Sequence, residues 1–311
     1  MLKLKYLKSG EYREEDICVS VMAAFHDGKW IFCRDKERTS WELPGGHREK
    51  GETPLQTAHR ELYEETGATN ADIVPVTAFS ITTEKGTDYA MLYIAYITVT
   101  GPIPEFSEVG ETREFSRIPA DLTYPLIHYD LFNYAQRFLN LQSIAQTELE
   151  IFGEDRMPKR YTKSAAEPLE NGEHFAAVHV WIRDESGKYL LVKRGKEKGY
   201  PCLWSCITGF VEKGENSASA ALRIVKQKVG VELDADSGRC VMSMISGGVI
   251  ADIWLFFCED SRLKKVTVPE DCERADFGTK LDIIIFDNSD EFVPFTYLRK
   301  FLGISDRLFY L

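Results

Sequence analysis

The chain has 311 residues, of which 44% are hydrophobic and 28% charged, and its formal net charge is -11. This length is about twice that of a common domain of roughly 150 residues, and the composition is that of an ordinary globular protein, which excludes collagen-like and disordered classes. The negative charge disfavours a nucleic acid polymer as partner. The sequence shows no signal peptide, and no apolar run approaches the roughly 20 residues of a membrane helix. We therefore expect a cytoplasmic protein with no membrane partner.

The first predicted structure is a β-hairpin. Residues 18–25 and 30–34 are rich in apolar and β-branched side chains, and Asp27-Gly28 between them supplies the positive φ angles of a tight turn. A further strand is predicted over residues 89–100, and a final helix of this half over residues 129–139.

Between the hairpin and the strand over residues 89–100, a helix over residues 53–67 has clear end signals. Thr53 suits the N-cap, Pro54 suits the first helical position, and Gln56 stands three residues after the cap, as a capping box requires. Gly67 suits the C-terminal stop. The register of the helix is therefore fixed by its sequence.

This helix carries an apolar stripe and a row of carboxylates. Apolar residues at spacings of three and four predict the face toward the core; they are Leu55, Ala58 and Leu62. Glu61, Glu64 and Glu65 share a neighbouring face beside Glu52, and Arg60 offsets only part of their repulsion. Hard oxygen ligands at this density suit Mg²⁺, or Mn²⁺, rather than zinc. The alternative is an ordinary solvated, glutamate-rich face.

The second half of the chain repeats the first. Strands are predicted over residues 177–182 and 189–192, GKWIFC is echoed by GKYLLV, and each copy leads through a tryptophan, Trp41 or Trp204, into a glycine-containing turn and a helix. Further elements are a strand over 252–258 and a helix over 295–302.

Residues 141–174, between the two copies, lose regular periodicity and are predicted to be a connection or an irregular domain start. We place the domains at residues 1–147 and 148–311. The expected fold class is α+β, with a mixed sheet covered by helices in each half.

A longer pattern around the glutamates is specific. It occupies residues 46–68, GHREKGETPLQTAHRELYEETGA, and its specified positions are Gly46, Glu52, Arg60, Glu61, Leu62, Glu64, Glu65 and Gly67. These residues resemble the Nudix box at every position except the last aliphatic one, where Ala68 stands. The resemblance implies two tandem Nudix folds, each with a mixed sheet between helices, and a hydrolase that cleaves a nucleoside-diphosphate-linked substrate with divalent cations.

The resemblance also implies roles for the box residues. Glu64 and Glu65 would be metal ligands, and Glu61 would be a further ligand or the general base. Arg60 would orient these carboxylates and Glu52 would assist through water. The backbone carbonyl of Gly45 or Gly46 would complete the metal shell.

Residues outside the box are candidates for substrate contacts. The run from Trp30 to Gly46 is similar to the MutT-like branch, which acts on nucleoside triphosphates, including oxidised dGTP; its basic residues Arg34, Lys36 and Arg38 are predicted to meet the phosphates. Many family members use an additional Glu from a later loop, for which Glu108 and Glu111 are the candidates. Ordinary surface charge is the alternative for all five.

The second box, residues 209–231, keeps the spacing but not the ligands. Gly209, Glu215, Arg223, Gly230 and Val231 are retained. The positions of Glu61, Glu64 and Glu65 hold other residues, namely Ile224, Gln227 and Lys228, so that with Glu215 the formal charge of the four positions changes from -4 to 0. Mg²⁺ is not expected to bind there.

This half resembles the isopentenyl-diphosphate isomerase-like Nudix branch without its cysteine motif. We expect a non-catalytic domain, either a scaffold or a binding module in which Lys193, Arg194 and Lys228 hold an anion.

The predicted function is that of a Mg²⁺-dependent pyrophosphohydrolase of a small nucleotide, with a nucleoside triphosphate as the first candidate. The alternatives are hydrolysis of ADP-ribose, a dinucleotide or a nucleotide sugar, and a non-catalytic nucleotide sensor. We also expect the two halves to pack as a pseudo-dimer, because a duplicated domain often reproduces the twofold contact of a homodimer.

Overall fold

The chain divides into two compact units, Met1–Leu139 (unit 1) and Asn140–Leu311 (unit 2). The computed structural model describes residues 2–8, 10–142, 147–165, 167, 169–170, 172–196, 198–246 and 248–305. The boundary predicted from the sequence, after residue 147, lies eight residues beyond Leu139 and stays a prediction.

Unit 1 contains seven strands in one sheet, with the order β1-β5-β6-β2-β3-β7 and β4 paired to β2. The elements are β1 Lys3–Leu7, a short 3-10 helix Glu14–Asp16, β2 Ile17–His26, β3 Lys29–Asp35, β4 Gly45–His47, α1 Pro54–Thr66, β5 Ala68–Thr83, β6 Gly86–Thr100, β7 Val109–Phe115 and α2 Pro125–Gln142, of which the last three residues, 140–142, belong to unit 2. The pair β2–β6 is parallel, and the other pairs are antiparallel.

The sheet of unit 1 lies between two helices. Successive residues of β2 point to opposite faces of the sheet. Met22 and Ala24 pack against α1, where they meet Ala58 and Leu62. Ala23 and Phe25 point the other way and pack against α2. The larger cluster on that second face contains Ala23, Phe25, Trp30, Phe32, Leu131, Phe132 and Ala135. Burial on both faces of the sheet fixes the register of its central strands.

Unit 2 has a second seven-stranded sheet, with the order β12-β11-β10-β15-β14, β13 paired to β10 and β16 paired to β11, and a separate hairpin β8–β9. Its elements are β8 Glu148–Phe152, β9 Pro158–Ser164, β10 Phe175–Arg183, β11 Tyr189–Arg194, β12 Trp204–Ser205, β13 Ile207–Phe210, α3 Ser217–Val229, a 3-10 helix Ala235–Ser237, β14 Gly238–Ser246, β15 Val249–Phe257, α4 Asp260–Leu263, β16 Cys272–Gly278, α5 Lys280–Asn288 and α6 Leu298–Ile304.

The two sheets share a plan. The parallel pair β10–β15 corresponds to β2–β6, and β11–β16 corresponds to β3–β7. Both of the latter pairs have a register irregularity at the same place, between Arg34 and Asp35 in unit 1 and between Lys193 and Arg194 in unit 2. The internal repeat seen in the sequence is therefore a repeat of strand register. The α+β fold class, with two mixed sheets and helices, is confirmed.

Most predicted elements are confirmed with small changes at their ends. The hairpin β2–β3 turns at Asp27 and Gly28, whose φ angles are 43° and 87°. The helix α1 has Thr53 as its N-cap with the predicted Gln56 capping box, and it ends at Gly67 with a φ of 70°.

Two details of the sequence reading were wrong. Leu55 is 42% exposed and lies outside the apolar stripe, because the small residues Thr57 and Ala58 face the sheet instead. The stretch 141–174 is not simply irregular, because it contains the hairpin β8–β9; its residues 143–146, 166, 168 and 171 lie outside the described residues.

Within the described ranges, no helix has the length and apolar character needed to cross a membrane.

A buried histidine gives unit 1 a predictable pH dependence. Burial lowers the pKa of His128 on α2 to about 4, and its Nδ1 has no hydrogen-bond partner among the described residues. In the unfolded chain the histidine has a pKa of about 6.5, so it is protonated there at a higher pH than in the folded protein. The free energy of unfolding is therefore highest above about pH 6.5 and decreases as the pH falls toward about 4. Between about pH 7 and about pH 5 the loss is on the order of 2 kcal/mol.

Between about pH 7 and about pH 5, we expect the melting temperature of unit 1 to fall less in His128→Leu than in the unchanged protein. Calorimetry at several pH values measures it, and parallel curves for the two proteins would contradict the assignment.

Candidate active site

The glutamate helix lies close against strand β4. A Cβ built on Gly46 would stand 2.1 Å from Glu61 Oε1, so the glycine is what lets this carboxylate reach the strand. Ser20 on β2 holds the start of the helix by donating its hydroxyl to the carbonyl of Pro54 at 2.7 Å. The first turn and the middle of α1 are thus both fixed to the sheet.

Arg60 is the centre of the carboxylate cluster. Its Nε donates to Glu52 Oε1 at 2.7 Å, and its Nη2 donates to Glu52 Oε2 at 3.1 Å and to the His47 carbonyl at 2.9 Å. Its Nη1 donates to Glu61 Oε1 at 2.8 Å and to Glu64 Oε2 at 3.0 Å. The hydrogen bonds from Arg60 lower the pKa of Glu52 to about 2. One guanidinium therefore joins the helix to β4 and orients two carboxylates.

Glu65 points away from Arg60 into the sheet. Its Oε2 accepts the backbone N–H of Gly45 at 2.8 Å and the thiol of Cys33 at 3.4 Å. Burial raises the pKa of Glu65 to about 8 and also raises the pKa of Glu61. Both hydrogen-bond donors to Glu65 are neutral, so no side chain offsets its charge directly.

The helix of the second copy repeats the scaffold of the first. Arg223 donates to both oxygens of Glu215, at 2.6 and 2.8 Å, and to the carbonyl of Phe210 at 3.0 Å. Asn216 caps the helix and Gly230 ends it with a φ of 71°. These bonds match those that Arg60 makes to its own glutamate and strand.

The chemistry at the remaining positions differs between the copies. Ile224 stands where Glu61 does and is buried among apolar side chains. Gln227 accepts from Arg223 at 3.0 Å, and Lys228 forms an ion pair with Asp271 at 3.1 Å. The second copy thus holds an ammonium and a methyl-bearing side chain where the first holds carboxylates.

The family is decided by comparison with known proteins. The NUDIX domain profile matches residues 17–129 and 173–260, which together are well over half of the chain. The chain belongs to the Nudix family. The predicted tandem of two Nudix domains is confirmed, whereas the resemblance of the second to isopentenyl-diphosphate isomerase stays a prediction.

Three relatives show what the Nudix chain is similar to. An uncharacterized Nudix hydrolase of Listeria innocua is 32% identical over 162 residues, which are 51% of this chain and 95% of that protein. ADP-ribose pyrophosphatase of Bacillus subtilis is 48% identical over 65 residues, 20% of this chain and 35% of that enzyme. RNA pyrophosphohydrolase of Bartonella tribocorum is 38% identical over 77 residues, 22% of this chain and 43% of that enzyme.

The four box carboxylates do not all point to one place in the structure, and their role as metal ligands stays a prediction. Across the ranges that the structure describes, no three His, Cys, Asp or Glu side chains are placed to hold one metal ion. Arg60 stands between Glu52 and the pair formed by Glu61 and Glu64, and Glu65 is turned toward Gly45. Arg60 is thus the cationic partner of three of the four carboxylates.

The donor set nevertheless fits a hard divalent cation. Three carboxylates contact the guanidinium of Arg60 and Glu65 follows them on the helix, so these five side chains have a formal charge of -3. Glu61 and Glu64 already share one cationic nitrogen, and Glu65 is partly buried with neutral donors only. Oxygen ligands and uncompensated negative charge are what Mg²⁺ and Mn²⁺ require.

The three predicted phosphate-binding residues each have a partner within the protein. Arg34 forms an ion pair with Glu111 and stacks on Trp41 at 5.1 Å. Lys36 donates to the carbonyl of Ser107 at 2.6 Å, and Arg38 forms an ion pair with Glu42. A phosphate contact by any of them would have to replace one of these bonds, so their role stays a prediction.

Strand register separates the two loop candidates. Glu111 on β7 is paired with Arg34 and with Arg113, the latter at 2.6 Å. Glu108 lies one residue before β7 and is exposed, and its carbonyl accepts Lys36 N–H at 3.0 Å. The strand β7 pairs with β3 in the same register in which β16 pairs with β11. Glu108 and Asp271, each just before its strand, therefore stand at the same position of the repeated fold.

Sequence reasoning missed Cys33 and the N–H group of Gly45 as the contacts of Glu65. Cys33 lies on β3, thirty-two positions before Glu65, and only the packing of α1 on the sheet brings the two together. The alternation of β3 placed Cys33 on one face of the strand, but not next to a particular glutamate.

The burial of Glu65 predicts a gain of stability when its charge is removed. In excess chelator at neutral pH, we expect Glu65→Gln to stabilise the protein by about 1–2 kcal/mol, because burial forces the carboxyl to take up a proton on folding, whereas the amide keeps the shape without that cost. Thermal unfolding with EDTA measures this change.

Glu52→Gln is the matched control and should lower stability under the same conditions, because it breaks the ion pair with Arg60. A loss of stability in both variants would contradict the uncompensated burial of Glu65.

Proposed function

We propose that unit 1 is a divalent-cation-dependent pyrophosphohydrolase that cleaves a nucleoside-diphosphate-linked substrate, with a nucleoside triphosphate, oxidised dGTP included, as the first candidate. The single observation that supports this most is the contrast between the copies. Both keep the Arg–Glu scaffold, but only unit 1 keeps carboxylates at the three further positions of the box. Family membership supports hydrolysis as the reaction class.

Glu61, Glu64 and Glu65, with the carbonyl of Gly45 or Gly46, would hold the cation, and Mg²⁺ fits these oxygen donors. When bound, the cation neutralises phosphate charge and lowers the pKa of water. The chain itself supplies orientation, since Arg60 fixes Glu61 and Glu64 by shared N–H donors, while Glu52 fixes Arg60.

The proton is taken by a carboxylate of the cluster. Water attacks phosphorus, the bond from phosphorus to the bridging oxygen breaks, and the water proton passes to a carboxylate. Glu61 is our candidate for this base, because it stands against the Gly46 backbone and burial raises its pKa. No nucleophile from the protein is required.

Glu108 is the better candidate for the additional carboxylate. In unit 2, Lys228 reaches Asp271 at 3.1 Å, and these two residues correspond to Glu65 and Glu108 by box spacing and strand register. The same approach in unit 1 would bring Glu108 to the metal-binding end of the helix, whereas two arginines already hold Glu111.

The relatives keep two alternative substrates open. The Bacillus subtilis relative is an ADP-ribose pyrophosphatase, and the Bartonella relative is an RNA pyrophosphohydrolase, so ADP-ribose and the 5′ end of RNA belong in the same test. Dinucleotides, nucleotide sugars and a non-catalytic sensor role also remain alternatives. The second domain is proposed to be non-catalytic, and the pseudo-dimer stays a prediction.

We expect the purified protein with Mg²⁺ to turn over at least one compound of a panel of nucleoside triphosphates, oxidised dGTP, ADP-ribose, diadenosine polyphosphates, NADH and 5′-triphosphorylated RNA. Glu64→Gln should reduce that turnover by about a hundredfold or more, because it removes a ligand carboxylate. Release of phosphate, of pyrophosphate and of nucleoside monophosphate is recorded separately, because ADP-ribose and NADH yield two phosphomonoesters.

Glu105→Gln, at an exposed glutamate of the same unit, is the control and should act like the unchanged protein. Tight nucleotide binding without turnover across the panel would reject the enzyme in favour of the sensor.

With the substrate found in that panel, Glu108→Gln should lower kcat at least about tenfold, as expected for a carboxylate that assists at the reacting phosphate. Glu111→Gln is the matched comparison and should change kcat less than about threefold. The reverse order of the two effects would show that the register correspondence with Asp271 does not carry over to function.

A further inference from the structure

A small cavity in unit 2 occupies the place where unit 1 has Glu65. Lys228, Thr208 and Val192 line it, between α3, β13 and β11. By box spacing and strand register they correspond to three residues that meet in unit 1, which are Glu65, Gly45 and Cys33. The metal-binding end of the first box and this cavity are therefore the same location in the repeated fold.

The cavity is lined by three cationic side chains and one carboxylate. Arg194, Lys198 and Lys228 are the cations and Asp271 is the carboxylate, in a protein whose net charge is -11. Lys228 Nζ stands 3.1 Å and Lys198 Nζ 3.3 Å from the same oxygen, Asp271 Oδ2. Since one carboxylate contacts two ammonium groups, either ammonium can turn toward another anion while the other still pairs with Asp271.

Arg194 is held in position by neutral groups. Its Nε donates to the Gly199 carbonyl at 2.6 Å, and its Nη2 donates to Oδ1 of Asn140. Neither acceptor carries a charge, and the carboxylate of Asp271, which lines the same cavity, acts on the guanidinium through its charge. Arginine that is fixed in this way is pre-organised for an oxyanion.

The free volume of the cavity is about 20 Å³, which is room for about one water molecule. An anion must therefore displace an ammonium group from Asp271. Lys228 is the group placed to move, because its side chain is 33% exposed and that of Lys198 only 15%. Its flexible four-carbon chain allows this exchange without movement of the helix backbone.

We propose that unit 2 binds a phosphate group at this cavity without a metal ion, with the ammonium of Lys228 supplying the positive charge that a divalent cation supplies in the first box. Arg194 and Lys228 donate to the phosphate oxygens, and Lys198 remains on Asp271. The ligand is a tetrahedral dianion, either free orthophosphate or the terminal phosphate of a nucleotide. This site does not depend on hydrolysis in unit 1.

The test is calorimetric titration of the full chain in excess EDTA, which removes cation-dependent binding in unit 1. Orthophosphate, pyrophosphate and AMP are titrated separately, and they distinguish a free phosphate from a nucleotide phosphate. We expect binding of at least one of the three in the unchanged protein and a loss of at least about tenfold in affinity in Lys228→Gln. Lys228→Arg keeps the charge and should retain binding.

Two further variants make the result decisive. Lys226→Gln alters an exposed lysine of the same helix, paired with Glu232, and should bind as the unchanged protein does. Asp271→Asn removes the competing carboxylate and should tighten phosphate binding, a gain that misfolding cannot produce. No heat of binding up to about 10 mM ligand in EDTA, or equal affinity in Lys228→Gln, would overturn the proposal.

Discussion

The bidentate ion pair between an arginine of the box helix and the glutamate that precedes the helix is the interaction on which both domains depend. Arg60 joins Glu52 and a carbonyl of β4, and Arg223 joins Glu215 and a carbonyl of β13 in the same pattern. Bidentate pairing gives direction as well as energy. It fixes the helix, the loop before it and the neighbouring strand as one body.

The arginine–glutamate pair and the bond to the strand are the same in both copies, although the other box positions carry different residues. A glycine on the neighbouring strand allows close approach in both copies, to Glu61 at Gly46 and to Ile224 at Gly209. In the second copy this contact has become part of an apolar cluster. The same backbone thus holds a polar site in one domain and core packing in the other.

The two copies also deal differently with the charge at the end of the helix. Glu65 is partly buried with neutral donors, a condition that lowers the stability of the metal-free domain. Lys228 instead meets Asp271 and is balanced within the protein. The first copy thus partly buries a carboxyl group that has neutral donors only, whereas the second copy pairs its lysine with a carboxylate of the same unit.

The sequence by itself determined the internal repeat, the strand pairs β2–β3 and β10–β11, the caps of α1 and the family, because these depend on local spacing and turn chemistry. It also located the loss of carboxylates in the second box. It misplaced Leu55, since the choice between Leu55 and Thr57 as the face of the helix depends on how closely the sheet approaches.

Only the tertiary structure decided where the carboxylates point. The position of Arg60 between Glu52 and Glu61, the contact of Glu65 with Cys33, and the meeting of Lys228 with Asp271 join residues on different elements. Residue spacing within one helix gives the direction of a side chain from that helix. The packing of strands against the helix then determines which partner lies in that direction.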